Sequence, residues 1–334
     1  MSNNNLEKQQ KEKLIEVPLR YTEFLTTRLG KCKVYEYKFN IADTTPIIGH
    51  SRPVPHSARA GVRKKIEQMM EDGILELSDS SSINPLTTVW RENKERRICI
   101  DARRMNNVML PEWARAPPIE EILQQFHGVK NMTSLDLTSE FLQIPLEASS
   151  RKYTAFLFDT NVYQFQRVPF GMKNSLAAFV RGLRKVLGSD ASSFCACYVD
   201  DIVIFSTAFE EHLRHINLIF NKLTTVGFTI NAFKCKLYQP QINFLGHVIG
   251  PEAISADPRR IAAIPSYLAS RNQKQLRQFL GTCGFHHKLV LNYADFVAPL
   301  SPMLKKRKES NGNGQLTYSK RLKNYVHSLL IASA

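Results

Sequence analysis

The sequence lacks any long apolar run, and no apolar segment approaches the roughly 20 residues that a membrane-spanning helix needs. It also shows no secretory signal peptide and no amphipathic, arginine-rich presequence. The six cysteines include no Cys-x-x-Cys pair, and no group of Cys and His has the spacing of a zinc site. These absences predict a soluble intracellular protein with reduced, buried thiols and no contact with a membrane.

Acidic residues are scarce relative to basic ones, because 30 Asp and Glu stand against 45 Lys and Arg, giving a net charge of +15. This excess favours a polyanionic partner whose affinity falls as the salt concentration rises. A basic ribosome-associated protein would show the same total, so charge alone does not identify the function. The 334 residues, 43% of them hydrophobic, suffice for a large core or for two to three subdomains.

Two adjacent acids, Asp200 and Asp201, interrupt a stretch that is otherwise apolar and β-branched. Such a stretch predicts buried strands, and an acidic pair inside it fits best at the tight turn of a hairpin. A solvated turn is the simpler interpretation of the pair. Carboxylates held this close also gather hard divalent cations, above all Mg²⁺. Asp136, in a second strand-like segment, would supply the third carboxylate of a two-metal phosphoryl-transfer site.

Five motifs follow one another along the chain. They are Leu135-Asp136-Leu137 with Phe141-x-Gln143-Ile144-Pro145-Leu146, Val168-Pro169-Phe170-Gly171-Met172-Lys173-Asn174-Ser175, Tyr198-Val199-Asp200-Asp201, Phe244-Leu245-Gly246-His247 and Arg277-Gln278-Phe279-Leu280-Gly281. Their order and spacing resemble those of a reverse transcriptase and, more narrowly, those of the polymerase of gypsy-type LTR retrotransposons. The similarity extends from about Arg52 to Leu300.

The resemblance implies an α+β fold, a right-hand polymerase with fingers, palm and thumb, in which an antiparallel palm sheet packs on helices. We expect an N-terminal arm at 1–46, fingers and palm at 47–250, a thumb at 251–308, and the truncated start of a connection or RNase H-like region at 309–334. The composition of residues 1–13 predicts disorder. Local patterns predict strands at 34–41, at 74–77 and on both sides of a charged turn at 88–101. They also predict helices at 58–73, at 175–188 and from the capping box Thr207-x-x-Glu210 to Gly227. In the thumb, one predicted helix begins at Asp257-Pro258 and another contains Leu276.

The resemblance also assigns roles to individual residues. Asp136 and Asp200 would be shared ligands of two Mg²⁺ ions, with Mn²⁺ as an alternative, while Asp201 completes or orients a metal site that includes Leu137. Phe141 would exclude a 2′-hydroxyl from the substrate. The residues at the deoxynucleotide would be Arg91, Arg97, Glu140, Phe141 and Phe170, with Lys94 as a competitor for the phosphate contacts. The nucleic-acid contacts would come from Phe244, Leu245, Gly246 and His247, which position the primer terminus.

The implied function is RNA-directed DNA polymerase, with an RNA or DNA template-primer, deoxynucleotides and other products of a retrotransposon polyprotein as partners. The implied location is the cytoplasm, within virus-like particles or with access to the nucleus. A competing interpretation is a decayed or co-opted remnant that binds nucleic acid without polymerising. Glu140, which stands where the family commonly has a small residue, and the missing RNase H acids favour the remnant, whereas the intact Asp136, Asp200 and Asp201 favour the enzyme. A two-metal nuclease ranks last, because the His or extra acids that would position a water are absent.

Overall fold

The computed structural model describes residues 7–50, 53–90, 96–112, 117–199, 201–259, 273–285, 293–298 and 304. The chain divides into two compact units, residues 1–125 with 131–239 and residues 126–130 with 240–334. The helices of the described residues are α1 (Lys8–Leu19), α2 (His56–Glu71), α3 (Arg103–Val108), α4 (Ile119–Gln124), α5 (Ala148–Arg151), α6 (Ser175–Leu187), α7 (Phe209–Thr225), α8 (Gln273–Phe285) and α9 (Tyr293–Val297). The strands are β1 (Leu75–Leu77), β2 (Leu86–Trp90), β3 (Arg96–Ile100), β4 (Asn131–Asp136), β5 (Phe156–Phe158), β6 (Asn161–Phe165), β7 (Cys195–Tyr198), β8 (Asp201–Ser206), β9 (Lys236–Gln239), β10 (Ile242–Phe244), β11 (His247–Ile249) and β12 (Ile254–Ala256).

An antiparallel four-stranded sheet in the order β7-β8-β4-β9 forms the centre of the first unit. The register of β4 against β8 runs from the pair Asn131 and Ser206 to the pair Asp136 and Asp201. Helix α7 packs on β4 and β8, and α6 packs on α7. The apolar positions of α7 step by three and four and are fully buried at Ile216 and Phe220. The long apolar strand β8 is therefore covered by helices, and its acidic first residue lies at the end of the sheet.

Two smaller sheets belong to the same unit, one in the order β1-β6-β5 and the other a hairpin of β2 and β3. Helix α2 packs on β1 and β3 and buries Val62, Ile66 and Met69. The predicted helix and the predicted strand pair are therefore confirmed. The charged turn at 91–95, with Arg91 and Lys94, lies outside the described residues.

In the N-terminal arm the structure contradicts the predicted disorder at residues 8–13 and the predicted strand at 34–41, while residues 1–6 lie outside the described part. Residues 8–13 belong to helix α1, which begins with a capping box between Glu7 and Gln10 and packs on α7. Tertiary packing supports a helix that its composition alone would not stabilise. At 34–41 no strand forms, because Tyr37 makes only an isolated bridge to Leu146. The apolar alternation there reflects the burial of separate side chains, including that of Tyr37.

The structure agrees with only some of the predicted helix caps. Helix α6 is followed by Gly188, whose φ of 73° favours glycine, as expected. The predicted cap at Asn174 is wrong, because its side chain donates to Leu110 O and accepts from Glu112 N and does not bond the first turn of the helix. The capping box of α7 joins different partners from those predicted. The backbone N and the Oγ1 of Thr207 lie 3.3 and 3.1 Å from Glu211 Oε2, whereas Glu210 accepts a hydrogen bond from Lys13 at 2.8 Å. The helix begins at Phe209, one residue later than the motif suggested, which shifts the acid by one position.

The second unit contains an antiparallel meander, β10-β11-β12, together with α8 and α9. Phe126 and Phe244 pack at a ring-centroid distance of 5.8 Å. Helix α8 confirms the predicted helix around Leu276, which is buried. Of the helix predicted to start at Asp257-Pro258, residues 258 and 259 are helical, and residues 260–272 lie outside the described part of the chain. Among the described helices, none combines the length and apolarity needed to cross a membrane.

A buried network of polar side chains lies between α7 and the four-stranded sheet. His212 Nε2 lies 2.8 Å from Thr133 Oγ1, and His212 Nδ1 lies 3.1 Å from Ser206 Oγ. Ser206 Oγ in turn lies 2.7 Å from His215 Nδ1. Burial, with a smaller contribution from the neighbouring His215, lowers the pKa of His212 from 6.5 to about 3. The imidazole is therefore neutral in the folded protein at neutral pH.

This burial predicts a loss of stability in acid. The unfolded chain takes up a proton at His212 near pH 6.5, whereas the folded chain does so only near pH 3. The stabilisation is therefore complete above pH 6.5 and falls between pH 6.5 and pH 3, by about 2 kcal/mol from pH 7 to pH 5. Urea unfolding of the wild type and of His212→Gln at both pH values measures the difference. Equal losses of unfolding free energy in the two proteins would contradict the assignment.

Candidate active site

The predicted acidic hairpin is present, and its turn is strained. Strands β7 and β8 pair Tyr198 with Asp201, and Val199 is the described residue of the turn between them. Val199 has a φ of 56°, which is rare for a β-branched residue and typically costs about 1–3 kcal/mol. Such strain concentrates at functional sites. Asp201 begins β8 instead of occupying the turn, and Asp200 lies outside the described residues.

Asp136, the last residue of β4, pairs in register with Asp201 on the neighbouring strand. Both carboxylate oxygens of Asp136 lie 3.2 Å from Lys234 Nζ. The backbone carbonyl of Asp136 accepts a hydrogen bond from Asn231 N at 2.9 Å, which holds the loop that contains Lys234 against β4. Lys234 thus partly neutralises a carboxylate of the site. No sequence motif linked Lys234 to Asp136, because 98 positions separate the two residues.

The main chain at Leu137 explains why this residue can belong to a metal site. Leu137 bridges Ile230 in antiparallel fashion, and the bonds of that bridge run from Thr138 N to Thr229 O and from Asn231 N to Asp136 O. Groups alternate along an antiparallel strand, so the carbonyl of Leu137 points to the opposite edge, where β8 lies. The Leu137 side chain is buried, which leaves this carbonyl as its only possible metal ligand.

These donors fit a hard divalent cation. The carboxylates of Asp136 and Asp201 stand at paired positions of adjacent strands, where Cα atoms are about 4.5–5.5 Å apart, and the Leu137 carbonyl faces the same edge. All three are oxygen ligands, which Mg²⁺ and similar ions prefer. Within the described part of the chain, no group of three His, Cys, Asp or Glu side chains could hold a metal ion. The third predicted carboxylate, Asp200, falls outside that part.

Gln143 fixes the backbone that follows Asp136. Its fully buried amide donates to the carbonyls of Thr138 and Thr229 at 2.8 and 2.9 Å, while its Oε1 accepts from Thr229 N at 2.8 Å. The segment between begins with Ser139 at a φ of 48° and continues as a 3₁₀ turn over Glu140–Gln143. Gln143 is therefore a positioning residue. Its place in the Phe-x-Gln-Ile-Pro motif was a signal, although no role had been assigned to it.

Three of the predicted nucleotide-contacting residues form one contiguous group. The ring of Phe141 packs edge-on against Phe170 at a centroid distance of 5.7 Å and against the buried Phe179 at 5.9 Å. The guanidinium of Arg97 lies 4.1 Å from the centroid of the Phe170 ring, within reach of a cation–π contact. Phe141 is half-buried, so it is part of the core on one side and accessible on the other. Glu140 is also half-buried, and Arg91 lies outside the described residues.

The predicted nucleic-acid-binding turn belongs to the second unit. Phe244 and His247 pair across β10 and β11, and Leu245 and Gly246 form a two-residue turn with φ values of 51° and 75°. Phe244 and His247 are 2% and 7% exposed, and His247 Nδ1 lies 3.0 Å from the carbonyl oxygen of Leu245. The half-exposed turn of Leu245 and Gly246 is thus the accessible part of this motif.

Comparisons of the sequence with known proteins agree with the resemblance to reverse transcriptases. Residues 87–249 match the reverse transcriptase (RNA-dependent DNA polymerase) family. The retrovirus-related Pol polyprotein from transposon 297 of Drosophila melanogaster is 32% identical over 278 residues, which cover 81% of this chain and 26% of the relative. The corresponding polyprotein from transposon gypsy of the same organism is 28% identical over 286 residues, covering 84% and 27%. The chain therefore spans about a quarter of the length of these relatives.

A solved structure supports the fold. The foamy viral protease-reverse transcriptase in complex with RNA/DNA hybrid aligns with a TM-score of 0.82, covering 98% of this chain and 44% of that protein at 22% identity. The predicted α+β right-hand polymerase fold is confirmed, whereas the predicted domain boundaries and residue roles stay predictions. From the matched segment and these relatives, we conclude that residues 87–249 form a reverse transcriptase domain similar to that of retrovirus-like transposable elements.

Proposed function

We propose that this chain is an RNA-directed DNA polymerase that extends a primer 3′-hydroxyl with deoxynucleotides on an RNA or DNA template. The observation that supports this most directly is the register that pairs Asp136 with Asp201, the residue that follows Asp200 in the sequence. Two bound Mg²⁺ ions, with Mn²⁺ as an alternative, would activate the attacking oxygen and stabilise the leaving one. Asp136, Asp200, Asp201 and the carbonyl of Leu137 would hold them.

The other residues of the site would bind and orient the substrates. Arg97 would bind the triphosphate through charge-assisted hydrogen bonds, starting from its position over Phe170. Lys234 would stabilise the charge of Asp136 while no cation is bound there. A template-primer as partner is supported by the net charge of +15 and by the RNA/DNA hybrid bound to the foamy viral protein.

A primer-extension assay with an RNA template, Mg²⁺ and deoxynucleotides tests the proposal. We expect template-directed extension that requires the divalent cation. Duplex binding without extension, under conditions where a known reverse transcriptase is active, would contradict the proposal and favour a nucleic-acid-binding remnant.

Phe141 is predicted to select the sugar of the nucleotide. Its half-buried ring is supported from behind by Phe179 and Phe170, so it would present a rigid surface to the ribose. Replacement by Val should open space for a 2′-hydroxyl and raise the kcat/KM for ribonucleotides relative to deoxynucleotides, at some cost in overall efficiency. Steady-state kinetics with both sugars measure this ratio. An unchanged ratio in a folded variant would leave Phe141 with a packing role only.

Glu140 is predicted to weaken nucleotide binding. It starts the 3₁₀ turn between Asp136 and Phe141, and a carboxylate directed into the site would add negative charge beside a triphosphate. We expect Glu140→Ser to lower the KM for deoxynucleotides. Glu140→Gln, which removes the charge and keeps the size, separates repulsion from steric hindrance. Equal KM values in all three proteins would show that Glu140 points away from the nucleotide.

A further inference from the structure

Two thiols stand close together on the strand that leads into the acidic turn. Cys195 and Cys197 are two positions apart on β7, so their side chains lie on the same face, and their Sγ atoms are 3.8 Å apart. Cys195 is 6% exposed, and Cys197 is half-buried. Both line a cavity of about 180 Å³ whose other walls include Ile122, Leu183 and Val199. The cavity thus joins the thiol pair to the strained residue of the turn.

The distance between the two sulfurs favours the binding of a metal ion over the formation of a disulfide. A disulfide needs Cβ atoms about 3.5–4.5 Å apart, whereas two residues at positions i and i+2 of an extended strand are separated by about 6.6 Å. A disulfide between Cys195 and Cys197 would therefore buckle β7. Two thiolates bound to one tetrahedral centre, with metal–sulfur bonds of about 2.3 Å, lie about 3.8 Å apart. The observed distance of 3.8 Å matches the second geometry without any movement of the backbone.

We propose that Cys195 and Cys197 form a two-thiolate site for a soft divalent cation of the zinc group. The cation replaces one proton on each thiol, two protons pass to solvent, and water entering through the cavity completes the coordination. Thiolates select soft cations, whereas the oxygen donors around Asp136 select hard ones, so the two sites differ in the metal that they take. The hydrogen bond with Cys197 and burial hold the pKa of Cys195 well above its ordinary value against the opposing charge of Lys222, so binding strengthens as the pH rises, and Arg184 is a further positive group that lines the cavity.

Occupation of this site would affect the hairpin. Cys197 pairs with Ile202 and Tyr198 pairs with Asp201, so the strand that holds the cation is in register with the strand that begins at Asp201. A cation with its waters in the cavity also meets Val199 of the turn. We therefore expect it to inhibit primer extension, a consequence that rests on the proposed polymerase function, whereas the binding itself does not.

Titration of the full chain with Cd²⁺ in excess Mg²⁺ tests the binding, because cadmium–thiolate bonds give an ultraviolet charge-transfer absorption that carboxylates do not. We expect saturation at one equivalent, and Cys197→Ser should weaken the affinity at least about tenfold, since even the loss of an outer-shell partner costs 10–100-fold. Cys99→Ser, which alters another half-buried thiol, is the matched control and should leave the titration unchanged. No thiolate band in the wild type, or the same affinity in Cys197→Ser, would overturn the proposal.

The same samples test the coupling to the hairpin. Cd²⁺ should inhibit extension in the wild type and in Cys99→Ser but not in Cys197→Ser, and a competing dithiol should restore activity. Cadmium bound at the pair with undiminished extension would overturn the coupling. A chain that shows the thiolate band but never extends a primer would contradict the proposed polymerase function and support the thiolate site, so the two failures are distinguishable.

Discussion

Replacing Asp136 by Asn is expected to reduce the rate of primer extension by roughly a thousandfold or more while the protein remains folded. The amide is nearly isosteric with the carboxylate but does not neutralise a cation. Metal binding contributes several kcal/mol to transition-state stabilisation, and each ~1.4 kcal/mol corresponds to a tenfold change in rate. Asp136 is 29% exposed and held by the flexible, largely exposed Lys234, so the substitution leaves no buried charge unpaired.

Asp159→Asn provides a matched control for this experiment. Asp159 is 26% exposed and is likewise held by basic side chains, those of Arg59 and Arg63. Its φ of 52° is also compatible with Asn. Single-turnover extension and thermal unfolding should show wild-type behaviour for Asp159→Asn, and a loss of extension alone for Asp136→Asn. Activity of Asp136→Asn within threefold of the wild type would remove Asp136 from the metal site.

Replacing Arg97 by Ala is expected to lower kcat/KM for deoxynucleotides about ten- to a hundredfold, with little change in template-primer affinity. Hydrogen bonds to charged groups contribute about 1.5–3 kcal/mol, which corresponds to this range. The Arg97 guanidinium lies over the Phe170 ring, which in turn packs against the Phe141 ring, so the proposed phosphate-binding and sugar-binding residues are neighbours. Nucleotide titrations at fixed template-primer concentration measure the effect.

A second measurement distinguishes nucleotide binding from duplex binding. Arg103→Ala removes another basic side chain, one that is 87% exposed and paired with Asp101, and should change neither quantity appreciably. Weaker duplex binding with a shallower salt dependence in Arg97→Ala, and an unchanged KM, would show that Arg97 contacts the nucleic-acid backbone. The salt dependence of the dissociation constant for both variants therefore decides the assignment.

Local signals predicted those elements whose stability depends on nearby residues. Helix α6 combines a regular apolar spacing with a glycine after its last residue, and both features were recognisable in the sequence. The prediction of a strand at 34–41 was wrong, because the same alternation of apolar and polar residues arises when Tyr37 and other side chains are buried singly, without a strand partner. Helix α1 was not predicted, because its stability comes from packing on α7 and not from its own composition.

The sequence by itself determined the hairpin of β7 and β8, since two apolar β-branched segments around an acidic pair favour two strands joined by a tight turn, and it predicted the candidate metal donors. It also determined the resemblance to reverse transcriptases over residues 87–249, because the motifs occur in a fixed order. Only the tertiary structure decided that Asp136 pairs with Asp201, that Lys234 neutralises Asp136, and that Gln143 fixes the backbone after it. These contacts join residues 65 to 98 positions apart, and strand register and side-chain pairing over such separations depend on which buried faces meet, which local periodicity does not specify.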